Sequence, residues 1–185
     1  MAASRPSSRE DFAIAIICAL PLEHDAVSLL FDEFWDEEGD PYGRVAGDTN
    51  HYTTGRIGKH NVVLVLLQHM GVGNAASAAA SMRSSYGGVR LGLLVGICGG
   101  VPLVSGNETL LGDVVISKNV VRYRFGGLYP DMFQRKDTLE DNLDKPNKDI
   151  GSLLATFETA RARGLLRRTT AQFLKQLQTK AIQEE

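Results

Sequence analysis

The feature that most constrains this chain is an uninterrupted apolar run, Phe12-Ala-Ile-Ala-Ile-Ile-Cys-Ala-Leu20, which is closed by Pro21. Its β-branched residues favour an extended strand, and the absence of polar alternation indicates that both faces of that strand are buried. Even when it is extended to Leu22, the run has about half the length that a transmembrane helix needs. It therefore predicts a strand in the interior of a sheet that carries helices on both faces.

Further apolar runs alternate with segments of helical spacing, in which apolar residues recur every three to four positions. The predicted elements are, in chain order, strand Phe12–Ala19, helix Leu22–Phe34, strand His51–Gly58, strand Asn61–Gln68, helix Ala75–Tyr86, strand Leu91–Cys98 and strand Leu111–Ser117. This order predicts an α/β fold with a mixed central sheet flanked by helices. The continuous burial pattern places the first strand and Leu91–Cys98 at the centre of that sheet.

The sequence divides into three parts. Residues 1–10 are predicted to be a disordered tail, residues 11–160 an α/β domain, and residues 161–185 a C-terminal helical segment. Within the domain, the polar stretch Gly126–Lys148 lacks a core pattern and predicts a surface loop or a lid. The helical segment carries a partial apolar stripe, which either packs on its own domain or meets a partner.

Composition excludes several classes of protein. The chain has 185 residues and a net charge of −2, so it lacks the basic surface of a nucleic-acid-binding protein. Its two cysteines, Cys18 and Cys98, lie in apolar runs, which favours buried reduced thiols in a cytoplasmic setting. No Cys/His pair has the spacing of a metal site, so no metal is expected.

Glu23 is the first candidate for a functional residue, because it directly follows the first strand. In open α/β sheets, ligands bind where the strands end at their carboxyl edge. A carboxylate there, partly desolvated by Leu20 and Leu22, could act as a general base or position a water. The alternative is that Glu23 only stabilises the first turn of a helix through the helix dipole.

The second candidate is the turn Gly71-Val72-Gly73-Asn74, which lies between a buried strand and an alanine-rich helix. Glycines in such a turn let backbone N–H groups approach an anion at the helix N-terminus. The alternative is a structural turn in which Asn74 caps the helix. Neither the dinucleotide fingerprint nor the phosphate loop of nucleoside triphosphatases is present, because the required third glycine and Gly-Lys-Ser/Thr are missing.

The third candidate is the end of the run Val95-Gly-Ile97-Cys98-Gly99-Gly100. Its glycines permit a flat ligand to approach the backbone. Cys98 could serve as a nucleophile, but no histidine partner is evident and a structural role is the alternative. Asp113, thirteen residues after Gly100, fits a turn or capping residue better than a catalytic one.

Taken in order, four motifs resemble the nucleoside phosphorylase/nucleosidase superfamily over roughly residues 11–156, and most closely its fungal branch. The motifs are Ile-Cys-Ala-Leu-Pro-Leu-Glu, Met-Gly-Val-Gly-Asn-Ala-Ala, Val-Gly-Ile-Cys-Gly-Gly-Val-Pro and Leu-Gly-Asp-Val-Val-Ile-Ser. The resemblance implies a phosphorylase/hydrolase-like fold. It also implies cleavage of the N-glycosidic bond of purine nucleosides by phosphate or water, with phosphate as a co-substrate and no other cofactor.

The resemblance assigns roles position by position. Glu23 matches the glutamate that activates water in the methylthioadenosine/S-adenosylhomocysteine nucleosidases. Gly71–Asn74 matches the loop on the phosphate or water side, and the backbone of Cys98 and Gly99 matches positions that border the purine. Ile97 departs from the family, which carries a small hydroxyl residue there to contact water or phosphate.

A larger departure follows Thr156, where the family's ribose-binding Met-Glu segment and leaving-group acid are not found. We therefore expect a C-terminally incomplete domain that is weakly active or inactive, with a purine nucleoside or nucleotide as its ligand. The resemblance leaves a homo-oligomer open and implies neither nucleic acid nor membrane as a partner. The alternative function is a non-catalytic nucleoside-binding or oligomerisation module of a fungal immune-receptor-like protein.

Overall fold

The computed structural model of the chain describes residues 5–104, 107–118, 126–130, 132–135 and 147–184. The chain divides into two compact units, one of residues 1–99 with 177–185 and one of residues 100–176. Part of the predicted tail (residues 1–4) and part of the predicted loop or lid (residues 136–146) lie outside the described residues. Among the helices of the described ranges, none combines the length and the apolar character that crossing a bilayer requires.

The first unit alternates strands and helices as the sequence predicts. Its elements are β1 (Ile14–Cys18), α1 (Pro21–Ser28), β2 (Glu33–Phe34), β3 (Tyr52–Ile57), β4 (His60–Leu66), α2 (Val72–Ser85) and β5 (Leu91–Leu94), with a 3₁₀ turn at Arg9–Asp11. The strands form one sheet in the order β2-β3-β4-β1-β5. β1 is parallel to β4 and β5, whereas β2, β3 and β4 are antiparallel neighbours. The predicted mixed α/β sheet is therefore confirmed.

The core lies on both faces of β1 and β4, because alternate residues of a strand point to opposite faces. On one face Ala15, Val63 and Val65 pack with Met82 of α2. On the other face, side chains of β1 and β4 pack with Val27 of α1. Because helices cover both faces of these strands, their sequences contain continuous apolar runs.

Two sequence predictions in this unit are wrong. The helix predicted over Leu22–Phe34 ends at Ser28, and Glu33–Phe34 instead pairs with β3. The strand predicted at the sheet centre over Leu91–Cys98 spans only Leu91–Leu94, and among the described strands it pairs with β1 alone. An apolar run indicates that a segment can be buried, but it does not indicate whether the strand has a neighbouring strand on each side.

The second unit contains two short hairpins and the C-terminal helices. Its elements are β6 (Leu103–Val104), β7 (Asn107–Glu108), β8 (Gly126–Tyr129), β9 (Met132–Arg135), α3 (Lys148–Phe157) and the larger part of α4 (Ala160–Glu184). The predicted strand over Leu111–Ser117 is wrong, since these residues form no strand and Leu111 is fully exposed. A β-branched run needs a partner for its backbone hydrogen bonds, and the described residues provide none. The predicted turn is confirmed, because Asp113 accepts a hydrogen bond from the N–H of Leu110 at 2.9 Å.

Candidate functional site

The corner between β1 and α1 holds Glu23 in a fixed position. Pro21 occupies the first helical position, where its missing N–H costs nothing and its fixed φ suits the helix. Glu23 stands at the third position and its Oε2 accepts the N–H groups of Ala19 at 2.9 Å and Leu20 at 3.0 Å. A glutamate three residues into a helix reaches back to the start of its own helix in this way.

The second carboxylate oxygen of Glu23 reaches a distant part of the chain. Oε1 accepts the N–H of Ile97 at 2.8 Å, so the side chain joins α1 to the segment that follows β5. Gly96 lies so close that a Cβ at its position would stand 2.7 Å from Oε1. The residue is 8% exposed, and three backbone donors surround its carboxylate.

These contacts determine the ionisation of the site. The N–H of Ile97 outweighs the effect of burial and, with smaller contributions from Ala19 and Leu20, holds the pKa of Glu23 below its ordinary value. Beneath it, burial raises the pKa of the Cys18 thiol to about 11, and the Glu23 charge adds to that rise. At neutral pH Glu23 is therefore an anion, while Cys18 is a protonated thiol and not a nucleophile.

A cleft of about 1010 Å³ opens beside this corner, at the carboxyl ends of β1 and β4. Polar side chains and imidazoles line much of it, namely His24, Thr49, Asn50, His51, Tyr52, Thr53, Gln68, His69, Asn74 and Ser77. The volume is in the upper range of small-molecule sites. In the described parts of the chain, no group of three or more His, Cys, Asp or Glu side chains could hold a metal ion.

The structure brings only some of the predicted residues together. Glu23 contacts the backbone of Ile97, and Asn74 lines the cleft beside the β1–α1 corner. Asn74 is not the helix cap, because α2 begins at Val72 and its cap is Gly71, whose φ of 129° favours glycine. Gly73 lies in the first turn of α2.

The two remaining predicted residues lie beyond β5. Cys98 and Gly99 are exposed, so the expectation that Cys98 is a buried thiol is wrong, whereas the burial of Cys18 is confirmed. None of the hydrogen bonds of Glu23 reaches Gly71, Gly73 or the exposed pair. The roles of these residues in binding remain predictions.

Sequence reasoning missed a buried polar network that borders the cleft. Asp48 is 7% exposed, and its carboxylate accepts hydrogen bonds from the hydroxyls of Tyr52 and Ser85 and from the N–H of Asn50. The signal was available in the alternation of Asp48, Asn50 and Tyr52, since residues two apart in an extended segment share a face. The imidazoles of the cleft carried no such signal, because no motif surrounds them.

Comparison with known proteins places the chain in a family. A family model described as "Phosphorylase superfamily" matches residues 13–182. The chain is also 38% identical over 117 residues to a nucleotide-binding leucine-rich repeat (NLR)-like protein of Hyaloscypha variabilis. That match covers 63% of this chain and 11% of the relative, so the chain spans a small part of the relative's length. No solved structure matches the chain. Because the family model covers most of the residues and the motif order agrees with it, the chain belongs to the phosphorylase superfamily.

Proposed function

We propose that this chain binds a purine nucleoside in the cleft at the carboxyl edge of its sheet, and that by itself it releases the base weakly or not at all. Membership of the phosphorylase superfamily supports a nucleoside as the ligand class. The position of the cleft supports it further, because open α/β sheets bind ligands outside the carboxyl ends of their strands. In the family reaction the bond between C1′ and the purine nitrogen breaks, and water or phosphate takes the place of the base.

The hydrogen bonds that Glu23 already accepts are the observation on which the expected weak activity rests. A general base needs a free lone pair aimed at the proton that it removes and a pKa near the working pH. Glu23 has a lowered pKa and already accepts three backbone N–H groups. A carboxylate has about four acceptor positions, so at most one remains for a water. Without effective general-base help a site of this kind forgoes about a hundred- to ten-thousand-fold in rate.

Ile97 supports the same conclusion. Its N–H is committed to Glu23, and its side chain is 73% exposed and carries no hydroxyl group. The resemblance places a hydroxyl residue here to hold the attacking water or phosphate, and an isoleucine side chain offers no hydrogen bond for that task. Binding of a nucleoside does not need this contact, whereas orientation of the attacking group does.

An assay of base release tests the proposal. Purified chain is incubated with adenosine, inosine, methylthioadenosine and ATP, with and without phosphate, and binding is measured in parallel by calorimetry. We expect measurable binding of at least one nucleoside and no base release above the rate without protein. Turnover that disappears in a Glu23→Gln variant that still folds and binds a nucleoside, and that persists in Glu38→Gln at an exposed position, would show that Glu23 acts as a base.

A second candidate function is self-association, and the exposed edge of β5 favours it. Within the described residues this strand has a neighbour on one side only, and Leu94 on it is 77% exposed. An apolar strand edge without charge or proline is a template for another strand. A second copy is the simplest occupant, because two identical edges can pair about a twofold axis.

Sedimentation velocity tests this candidate. We expect the chain to dimerise as concentration rises, and a Leu94→Lys variant to weaken the dimer at least about tenfold, since lysine on an edge opposes pairing. Leu111→Lys, at an exposed leucine outside β5, is the matched control and should not change association. A chain that stays monomeric at every concentration contradicts the candidate.

A further inference from the structure

The network around Asp48 fixes the orientation of one cleft residue. Burial opposes ionisation of Asp48, but hydrogen bonds from Ser85, Tyr52 and the N–H of Asn50 prevail and hold its pKa below the ordinary value. Its Oδ2 accepts the hydroxyl of Tyr52 at 2.7 Å and that of Ser85, and its Oδ1 accepts the N–H of Asn50 at 2.9 Å. The carboxylate thereby anchors both ends of the short segment that leads into β3.

The side-chain amide of Asn50 has only one orientation in this setting. Its Nδ2 donates to the carbonyl of Ala78 and to the hydroxyl of Tyr52, both at 2.9 Å. A backbone carbonyl only accepts hydrogen bonds, so the NH₂ end must face Ala78. In a flipped amide, Oδ1 of Asn50 would face the carbonyl oxygen of Ala78. Both atoms are acceptors, so neither would receive a hydrogen bond from the other.

The same network leaves the side-chain oxygen of Asn50 without a hydrogen-bond partner among the described residues. The Tyr52 hydroxyl is occupied, because it donates to Asp48 and accepts from Asn50. Within the described residues, no hydrogen bond reaches Oδ1 of Asn50, and this oxygen is not sealed from solvent. Asn50 also lines the cleft. The side chains of Asp48, Ser85 and Tyr52, which are buried or half-buried, therefore hold this acceptor in place at the cleft wall.

The geometry points to Asn50 as a specificity-determining residue whose Oδ1 accepts a hydrogen bond from a hydroxyl or amino group of the bound nucleoside. This inference rests on the proposed function. A preorganised acceptor discriminates well, because a ligand that lacks the matching donor leaves the oxygen desolvated and unpaired. Fixing the amide beforehand also removes the entropy that a free side chain would lose on binding.

The test compares ligands and protein variants in one cycle. Affinities are measured by calorimetry for adenosine and for four analogues that each lack one donor: 2′-deoxyadenosine, 3′-deoxyadenosine, 5′-deoxyadenosine and purine riboside. We expect the chain to bind at least one analogue about two- to tenfold more weakly than adenosine, the range for one hydrogen bond. In Asn50→Ala the affinity for adenosine should fall by a similar factor, and the difference between adenosine and that analogue should vanish.

Two further variants keep the result interpretable. Asn61→Ala replaces the same residue type at the opposite end of β4 and should retain the full discrimination. Tyr52→Phe removes the hydroxyl that holds the amide while leaving Oδ1 in place, so discrimination should fall even if Asn50→Ala does not fold. Discrimination that survives in Asn50→Ala, or in Tyr52→Phe where Asn50→Ala does not fold, or its absence from the unaltered chain, overturns the inference alone. Absence of binding by every nucleoside overturns the proposed function as well.

Discussion

The Glu23→Gln variant is expected to lose about 2–4 kcal/mol of unfolding free energy at neutral pH, measured by urea denaturation. Glutamine has one acceptor oxygen and one NH₂ group in place of two acceptor oxygens. If its oxygen faces Ala19 and Leu20, its NH₂ faces the N–H of Ile97, and turning the amide over reverses the conflict. In both orientations at least one buried backbone donor is left without a partner.

The same variant should show a defined pH dependence. The folded-state pKa of Glu23 lies below its ordinary value of 4.5, so the folded state binds the proton less readily than the unfolded state. Its contribution to stability is therefore complete above the ordinary carboxyl range and is lost as the pH falls through the folded pKa. The stability difference between the unaltered chain and the variant should be constant at neutral pH and should shrink in acid.

The control for this experiment is Glu38→Gln, since Glu38 is exposed. That variant should differ from the unaltered chain by no more than about 0.5 kcal/mol. A Glu23→Gln protein as stable as the Glu38 variant would mean that the three backbone contacts contribute nothing. A stability difference that grows as the pH falls would contradict the direction of the pKa shift.

The strands covered by helices were predictable from sequence, and the reason is physical. β1 and the buried part of β4 are covered on both faces, so their residues are apolar and the pattern is unambiguous. The run Leu91–Cys98 has the same pattern, yet only its first half forms a strand, and that strand lies at the edge of the sheet that the described residues form. The apolar pattern of a strand indicates which side chains it can bury, whereas the number of neighbouring strands depends on the rest of the fold.

The candidate site was predictable only in part, for a related reason. Glu23 could be selected because it follows a buried strand, but its contact with Ile97 spans 74 positions and leaves no local trace. Asn74 was a candidate binding residue with helix capping as the alternative; Gly71 is the cap of α2, and Asn74 lines the cleft. The alternation of Asp48, Asn50 and Tyr52 could indicate part of the buried network, but the hydrogen bond from Ser85, which α2 brings from 37 positions away, follows no spacing rule.

Gly96 offers the sharpest test of the Glu23 contact. Alanine at this position would place its Cβ 2.7 Å from Oε1, 3.0 Å from Cδ and 3.2 Å from Oε2 of Glu23. Because the three N–H donors hold the carboxylate, it cannot withdraw without losing at least one of them. We expect Gly96→Ala to lower the unfolding free energy by about 2–3 kcal/mol, through overpacking together with a lost hydrogen bond.

Gly92 is the matched control, because a Cβ added there meets nothing within 4 Å and the residue lies in the same stretch of chain. Gly92→Ala should leave stability unchanged or raise it by about 0.4–1 kcal/mol, since it reduces the freedom of the unfolded chain. A loss in Gly92→Ala equal to that in Gly96→Ala would trace the effect to the strand backbone and not to the carboxylate.

A double-mutant cycle then isolates the contact between Gly96 and Glu23. In a Glu23→Ala background the carboxylate is gone, so the added Cβ at position 96 has no charged group to displace. The cost of Gly96→Ala should fall close to zero there, which corresponds to a coupling energy of about 2–3 kcal/mol between the two positions. Additive losses would mean that alanine disturbs the backbone on its own. A strong coupling would instead show that a close glycine at position 96 is what lets the buried carboxylate hold the N–H of Ile97, and with it the segment that leads to Cys98 and Gly99.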